Sequence, residues 1–268
     1  MSEGPLPTAP ILLLDSGVGG LTVLAELRKL LPQAPVIYVA DYAALPYGNK
    51  TEAQIAARVP ALLGRLEERY HPRLVTIACN TASTIALAAV REVLGLPVVG
   101  TVPAIKPASL MTKTGAIGLL GTAATIRQAY VDNLEREFAS DKLLLRHAAP
   151  ELVNAAEAKL RGEKIDPAVF EAAARGLRDQ PGGDKIDTVV LACTHFPLLE
   201  EELSRAFGPG VTFVHGAQGI ARRIEFLTRG QPFERREPDI AVVTGDNGSL
   251  DALRPALAGY GLERIERL

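Results

Sequence analysis

Short apolar segments alternate with longer amphipathic segments along almost the whole chain, and this alternation limits the fold more than any other feature. The short runs are rich in β-branched and aliphatic residues, and such an alternation predicts parallel strands covered by helices. The predicted strands are residues 11–14, 36–40, 74–78, 97–100, 116–120, 143–147, 188–192, 211–214 and 240–244. The predicted helices are residues 21–31, 52–70, 82–94, 125–138, 151–161, 167–178 and 198–206. The sequence therefore predicts the α/β class.

Two stretches far apart in the chain resemble each other. Residues 74–81 and 188–195 each consist of an apolar strand, then Ala-Cys, then polar residues, and their cysteines are 114 residues apart. That separation is much longer than the period of a solenoid, so it favours two related domains. Residues 101–107 are expected to form a linker, because Pro103 and Pro107 interrupt any regular ladder or helix there.

Charge and composition exclude several classes of protein. The chain has 29 basic and 31 acidic residues, a formal net charge of −2, so it lacks the basic excess of a nucleic-acid-binding protein. No apolar stretch approaches the ~18 residues that would span a bilayer. Residues 1–10 contain neither a basic region nor an apolar segment that would act as an export signal, so a cytoplasmic location is expected.

The two cysteines, Cys79 and Cys193, are too few for a disulfide framework and lack Cys-x-x-Cys spacing. Both follow predicted strands and closely precede predicted helices, where ligands bind in open parallel sheets. A thiol near a helix N-terminus gains thiolate character and becomes a base or nucleophile at neutral pH. A single free cysteine is more often a small packed hydrophobe. Two cysteines in matching contexts favour the chemical interpretation.

Residues 15–20, Asp-Ser-Gly-Val-Gly-Gly, stand where α/β folds place a glycine-rich phosphate loop. The match is poor, because the glycines do not have the dinucleotide spacing and Asp15 would repel a phosphate. Asp41 ends the second predicted strand, where such folds place a ribose-binding acid, so nucleotide binding stays as a minor alternative. Asp15 can instead cap the helix, accept a proton from a thiol or bind a substrate ammonium.

His195 follows Cys193 by two residues, close enough to stabilise a thiolate or relay a proton. The four histidines are scattered without His-x-x-x-His spacing, so no metal site is expected. Glu157 lies in a predicted amphipathic helix, where an exposed acid is the ordinary expectation.

These motifs together resemble the glutamate racemases of the cofactor-independent aspartate/glutamate racemase superfamily. The segments that carry the resemblance are residues 15–23 (DSGVGGLTV), 45–48 (LPYG), 78–83 (ACNTAS) and 192–199 (ACTHFPLL). The resemblance implies two similar doubly wound parallel-sheet domains with the active site in the cleft between them. It also implies a discontinuous first domain, residues 1–100 and 213–268, and a second domain of residues 101–212.

The same resemblance implies residue roles. Cys79 and Cys193 would be the catalytic bases, assisted by Asp15 and His195. The residues expected around the amino acid are Asp15, Ser16, Pro46, Tyr47, Gly48, Asn80, Thr81, Thr122, Thr194 and His195, with Glu157 as a further candidate. The sequence departs from the expected family pattern at His215, where we expect an acidic residue, and at residues 147–150, which lack an expected cysteine.

The implied activity is racemisation of glutamate without cofactor or metal, supplying D-glutamate for peptidoglycan. Inversion at an α-carbon needs one group to remove the proton and another on the opposite face to return one, which two cysteines can do. No pyridoxal-binding lysine is evident, and the expected assembly is a homodimer that binds a small molecule, with neither nucleic acid nor membrane as a partner. The alternatives are an aspartate racemase, a non-catalytic amino-acid or nucleotide sensor, and a redox switch that uses the two cysteines.

Overall fold

The computed structural model describes residues 5–245 and 250–268. Residues 1–4, which form part of the segment expected to lack an export signal, lie outside the described residues. The chain folds into two compact units, Met1–Thr101 with Ala217–Leu268, and Val102–Gly216. No helix in the described part of the chain is both long enough and apolar enough to cross a membrane.

The strands occur throughout the chain and are separated by helices. The strands are β1 (Ile11–Asp15), β2 (Val36–Ala40), β3 (Leu74–Ile77), β4 (Val98–Val99), β5 (Ala116–Gly121), β6 (Leu143–Ala148), β7 (Thr188–Leu191), β8 (Thr212–Val214), β9 (Ile240–Val243) and β10 (Arg264–Arg267). The helices are α1 (Leu21–Leu30), α2 (Glu52–Tyr70), α3 (Asn80–Val93), α4 (Ile105–Met111), α5 (Ala123–Ile126), α6 (Ala129–Phe138), α7 (Glu151–Leu160), α8 (Ala168–Arg178), α9 (Glu200–Phe207), α10 (Ala217–Leu227) and α11 (Leu250–Gly259).

Each unit contains one parallel sheet, which confirms the predicted α/β class with two parallel-sheet domains. Within the described residues, the first sheet has the order β10-β9-β2-β1-β3-β4 and the second has the order β6-β5-β7-β8. The segments β2-β1-β3-β4 and β6-β5-β7-β8 therefore have the same order, with β5 in the place of β1 and β7 in the place of β3. In both sheets the strand order reverses next to the first strand, and this is where α/β proteins bind ligands.

Strands β1, β2 and β3 are buried along their whole length. Continuous apolar runs of this kind are typical of parallel strands covered on both faces. Residues 213 and 214, expected in the first domain, lie in β8, which pairs with β7 of the second sheet. The pairing of β9 with β2 brings the last part of the chain into the first sheet.

Several regions differ from the sequence prediction, and helices α10 and α11 lie outside the predicted helices. Pro107 does not prevent a helix, because it lies in the first turn of α4, where its missing N–H is not needed. The helix predicted at residues 125–138 is split into α5 and α6, because Gln128 adopts an extended conformation. Strand β10 escaped prediction because its sequence, Arg-Ile-Glu-Arg, carries the charges typical of a sheet edge.

Asp187 fastens the end of α4 to the start of β7, the strand that leads to Cys193. Its carboxylate accepts hydrogen bonds from Thr112 Oγ1 at 2.6 Å and from the backbone N–H groups of Lys113 and Thr114 at 2.7 and 2.9 Å. Burial would raise the pKa of this carboxyl, but these hydrogen bonds outweigh it and lower the pKa to about 2. The ionised form is therefore the one that the folded unit stabilises.

We expect Asp187→Ala to lower the free energy of unfolding by about 1–2 kcal/mol at neutral pH, because several hydrogen bonds are lost. A carboxyl with a depressed pKa stabilises the fold above its unfolded value of about 3.9, and this contribution is lost as the pH falls towards 2. Urea unfolding of wild type and variant from pH 7 to pH 2.5 should show the difference shrinking below about pH 4. A difference independent of pH would contradict this role for the ionised carboxylate.

Candidate active site

In the first unit, the polar residues expected in the site follow two adjacent strands. Strands β1 and β3 pair in register, with Leu14 opposite Ile77, and the N–H of Ala78 donates to the carbonyl of Leu14 at 2.8 Å. The chain therefore leaves the two strands side by side, with Asp15 and Ser16 after Leu14 and Cys79 after Ala78. This is the point where the strand order reverses.

Asp15 shapes the turn that follows β1. It is fully buried, and its two carboxylate oxygens accept hydrogen bonds from the backbone N–H groups of Ser16 at 2.8 Å and Gly20 at 2.6 Å. A Cβ atom on Gly20 would lie 3.1 Å from both the Asp15 Cβ and the Tyr38 hydroxyl, so this position favours glycine. The turn thus binds the side chain of Asp15 itself and presents it at the edge of the sheet.

Cys79 is buried and directly precedes α3, a helix of 14 residues with no acidic residue in its first turn. The positive end of the helix dipole favours the thiolate over the thiol at this position. The neighbouring Asn80 is 6% exposed, and within the described residues its Oδ1 atom has no hydrogen-bond partner. Thr81 is also buried. This edge therefore combines a thiol with an amide oxygen that can accept a hydrogen bond from a ligand.

The Pro46–Gly48 segment lies in the same unit. Tyr47 begins a short 3₁₀ helix, Tyr47–Asn49, and its side chain is buried in the core that also contains Cys79. Its hydroxyl donates to Asp41 Oδ2 at 2.6 Å. Burial raises the pKa of Tyr47, and the adjacent Asp41 carboxylate raises it further, so the phenol stays protonated.

Asp41 does not serve as the ribose-binding acid of a nucleotide site. It is fully buried, and its two oxygens accept hydrogen bonds from Arg58, Tyr47 and Thr244. Since both oxygens bind groups of the protein, the nucleotide interpretation loses the residue that supported it.

In the second unit the same edge has the same backbone arrangement. Leu120 of β5 lies opposite Leu191 of β7, and the N–H of Ala192 donates to the carbonyl of Leu120 at 2.7 Å. Thr122 and Cys193 are thus in the positions that Ser16 and Cys79 have in the first unit. This equivalence gives a structural basis for the internal similarity seen in the sequence.

Cys193 is connected to two further buried side chains. Its Sγ lies 3.9 Å from Nδ1 of His195, and Nε2 of His195 lies 2.9 Å from Oε1 of Glu157. The three residues are 7%, 1% and 2% exposed. The expectation that Glu157 is an exposed acid is therefore wrong, because this carboxylate faces inward and binds His195. The chain of contacts from thiol to imidazole to carboxylate can orient the ring and pass a proton to or from the sulfur.

The two cysteines precede different types of helix. Cys79 comes directly before an α-helix, whereas Cys193 is separated by a turn from a 3₁₀ helix, Phe196–Leu199. The expected helix dipole is therefore available to Cys79, while Cys193 has His195 in its place. Lys159 of α7 donates to the carbonyl of Leu198 at 2.9 Å and so holds this segment against the helix that carries Glu157.

The remaining predicted residues lie at the same edges or near them. Thr122 caps α5 by accepting from the N–H of Thr125 at 3.1 Å, and Thr194 is buried beside Cys193. His215, where the sequence departs from the expected pattern, is half-buried and follows β8. No group of acidic, histidine or cysteine side chains suited to a metal ion occurs in residues 5–245 and 250–268.

Sequence reasoning missed Arg58 and the burial of Glu157. Both residues lie on helices whose patterns show one charged position among several, and no spacing distinguishes them from exposed residues. Their roles depend on contacts in the folded protein: Arg58 of α2 binds Asp41, which follows β2, and Glu157 of α7 binds His195, which follows β7.

Comparison with known proteins gives consistent results. Residues 22–224 match the family described as Asp/Glu/Hydantoin racemase. A glutamate racemase of Sphingopyxis alaskensis is 61% identical over 263 residues, which cover 98% of each chain. The glutamate racemase of Escherichia coli K12 is 42% identical, over 98% of this chain and 92% of that protein. A crystal structure of Escherichia coli glutamate racemase in complex with L-glutamate and the activator UDP-MurNAc-Ala superimposes with a TM-score of 0.91 and 41% identity, covering 97% of this chain and 98% of that one.

Proposed function

Because the chain belongs to the Asp/Glu/hydantoin racemase family, we propose that it interconverts L- and D-glutamate, with Cys79 and Cys193 as the two acid–base groups. The observation that carries this proposal is the equivalence of the two cysteines. Cys79 follows β3 and Cys193 follows β7, which have equivalent places in the two sheets, at the point where the strand order reverses. Core packing gives no reason for that repetition, whereas a reaction on mirror-image substrates needs matched groups.

The chemistry requires the thiolate of one cysteine to remove the α-proton and the thiol of the other to deliver one to the opposite face. Both thiols must therefore reach the same α-carbon. In the reverse direction the two cysteines exchange roles, because the product of one direction is the substrate of the other. The α3 N-terminus favours the thiolate of Cys79, and His195 provides a proton acceptor or donor beside Cys193.

The small polar residues at the two edges are proposed to bind the amino acid. Asn80 Oδ1 is suited to the ammonium group, because it is a buried acceptor without a partner among the described residues. Ser16, Thr81, Thr122 and Thr194, with backbone N–H groups, are suited to the carboxylates and to the negative charge that develops on deprotonation. Pro46, Tyr47 and Gly48 are proposed to line the same substrate.

Glutamate is favoured over aspartate as the substrate by the two relatives named glutamate racemase, which match this chain over nearly its whole length. The pocket of a glutamate enzyme must hold one more methylene than that of an aspartate enzyme, a difference worth about 1–3 kcal/mol. We propose that the product serves peptidoglycan synthesis, that the reaction needs neither metal nor cofactor, and that the protein acts in the cytoplasm as a homodimer.

The decisive experiment is incubation of the dialysed protein with L-glutamate or L-aspartate in heavy water, following α-hydrogen exchange and optical rotation. We expect exchange and complete loss of rotation with glutamate, after treatment with chelator and after removal of pyridoxal phosphate. Faster turnover of aspartate would favour the aspartate alternative. Binding of glutamate without exchange would favour a sensor, and a reversible Cys79–Cys193 disulfide in an inactive protein would favour a redox switch. Activity that returns only with a metal or pyridoxal phosphate would refute the cofactor-free reaction.

A further inference from the structure

The Asp41 carboxylate is held by three different elements of the first unit. Arg58 of α2 binds it with two parallel hydrogen bonds, Nε to Oδ2 and a terminal nitrogen to Oδ1, both at 2.6 Å. Tyr47 donates to Oδ2 at 2.6 Å, and Thr244, which follows β9, donates to Oδ1. A fork of this kind fixes the plane of a carboxylate as well as its position.

The contacts of Asp41 determine where Tyr47 can lie. The Tyr47 side chain is 1% exposed, and its hydroxyl binds the same carboxylate oxygen as Arg58 Nε. Burial would raise the pKa of Asp41, but its hydrogen bonds to Arg58, Thr244 and Tyr47 outweigh burial and hold the pKa below its ordinary value. The carboxylate therefore stays ionised and keeps accepting from Tyr47 at neutral pH.

Of the four residues in this network, Tyr47 belongs to the proposed substrate site, whereas Asp41, Arg58 and Thr244 do not. The Arg58 side chain is 38% exposed and lines a cavity of about 700 Å³ that Tyr47 and Thr244 also line. The other charged side chains in the described lining of this cavity are those of Lys50 and Arg65, which are both cationic. Asp41 is thus the acidic group that Arg58 is placed to bind.

We propose that Arg58 is a positioning residue for substrate binding, acting through Asp41 on Tyr47 and so on the Pro46–Gly48 segment. The inference rests on the proposed function, in which this segment lines the amino acid. Without the fork, Asp41 can rotate, the Tyr47 hydroxyl loses its fixed acceptor, and the 3₁₀ helix that Tyr47 begins is no longer held in one position. Binding of the substrate weakens first, because neither cysteine is touched by the change.

The test compares Arg58→Gln with Arg65→Gln, a matched control. Arg65 lies seven residues further along α2, is exposed and lines the same cavity, so its replacement removes the same charge from the same helix. We expect Arg58→Gln to raise KM for both enantiomers about tenfold while kcat falls less than about twofold. Arg65→Gln should leave both parameters unchanged. Tyr47→Phe removes the hydroxyl and keeps the buried ring, so it should raise KM severalfold even if Arg58→Gln fails to fold.

The possible results separate this inference from the proposed function. If wild type and Arg65→Gln racemise glutamate but folded Arg58→Gln and Tyr47→Phe keep the wild-type KM, the positioning role is overturned and the function stands. The same holds if activity falls only with the folded fraction measured by circular dichroism. If wild type does not racemise glutamate, the proposed function fails. Calorimetric titration with glutamate then decides the positioning role: we expect a Kd about tenfold weaker in Arg58→Gln, and equal or absent binding in both proteins overturns it.

Discussion

Cys79→Ser and Cys193→Ser are each expected to reduce racemisation of glutamate on the order of 10³-fold, within the range for loss of an acid–base group. The pKa of a free thiol is about 8.5, and a hydroxyl of similar shape is a far weaker acid that is not ionised at neutral pH. A variant with one thiol still has a base for one enantiomer. We therefore expect Cys79→Ser and Cys193→Ser to retain α-hydrogen exchange in heavy water with opposite enantiomers, without inversion.

The fold provides the control for this experiment. Both cysteines are buried and neither forms a disulfide within the described residues, so a serine of nearly the same volume should leave the circular dichroism spectrum and the cooperative unfolding transition intact. If either variant kept nearly wild-type turnover from both enantiomers, that cysteine would be a packing residue and the two-base scheme would be wrong.

Asp15→Asn and His195→Asn are expected to reduce turnover about 10²-fold, and to affect the two directions differently. Asp15 follows β1, next to the strand that precedes Cys79, and accepts hydrogen bonds from the backbone N–H groups of Ser16 and Gly20. The amide that replaces this carboxylate would place an NH₂ donor against one of these N–H donors. His195 links Cys193 to Glu157, and asparagine is too short to bridge both groups. Each change should therefore impair the proton transfers of one cysteine more than those of the other.

Initial rates from D- and L-glutamate test this assignment. The equilibrium constant for free enantiomers is one, so kcat/KM must stay equal in the two directions, while kcat and KM can change separately. We expect the direction with the larger loss of kcat to be opposite in the two variants. Glu157→Gln should change kcat and KM in the same direction as His195→Asn but by a smaller factor, because glutamine keeps a hydrogen bond to the imidazole but lacks the charge. If each variant lost the same proportion of kcat and changed KM by the same factor in both directions, the assignment of Asp15 to Cys79 and of His195 to Cys193 would be wrong.

The sequence predicted the strands that carry the cysteines because their signal is local. The apolar runs before Cys79 and Cys193 are short, buried along their length and followed at once by polar residues. The fold class and the equivalence of the two cysteine segments follow from that pattern, whereas the family was indicated by the resemblance of residues 15–23, 45–48, 78–83 and 192–199 to known motifs. The expectation of a linker at residues 101–107 was wrong at Pro107, because a proline in the first turn of a helix has the same sequence signature as a proline that breaks a helix.

The remaining features depend on contacts between residues far apart in the chain. Glu157 and His195 are 38 residues apart, and Asp41 and Thr244 are 203 residues apart. No helical or strand period connects such residues, and a charged residue that turns inward has the same sequence as one that turns outward. The sequence also did not predict that an α-helix follows Cys79 whereas a 3₁₀ helix follows Cys193, because the two types of helix begin with similar residues.

The discontinuous first unit has a consequence for the order in which the protein is made. Residues Val102–Gly216 form a complete sheet, and the ribosome produces all of them before β9, which pairs with β2. Domains commonly fold as units while synthesis continues. The inserted unit can therefore fold while the edge of β2 still lacks its neighbour. Asp41 receives its hydrogen bond from Thr244 only after that point, so the unit with Cys193 can fold before the unit with Cys79 has its last strands.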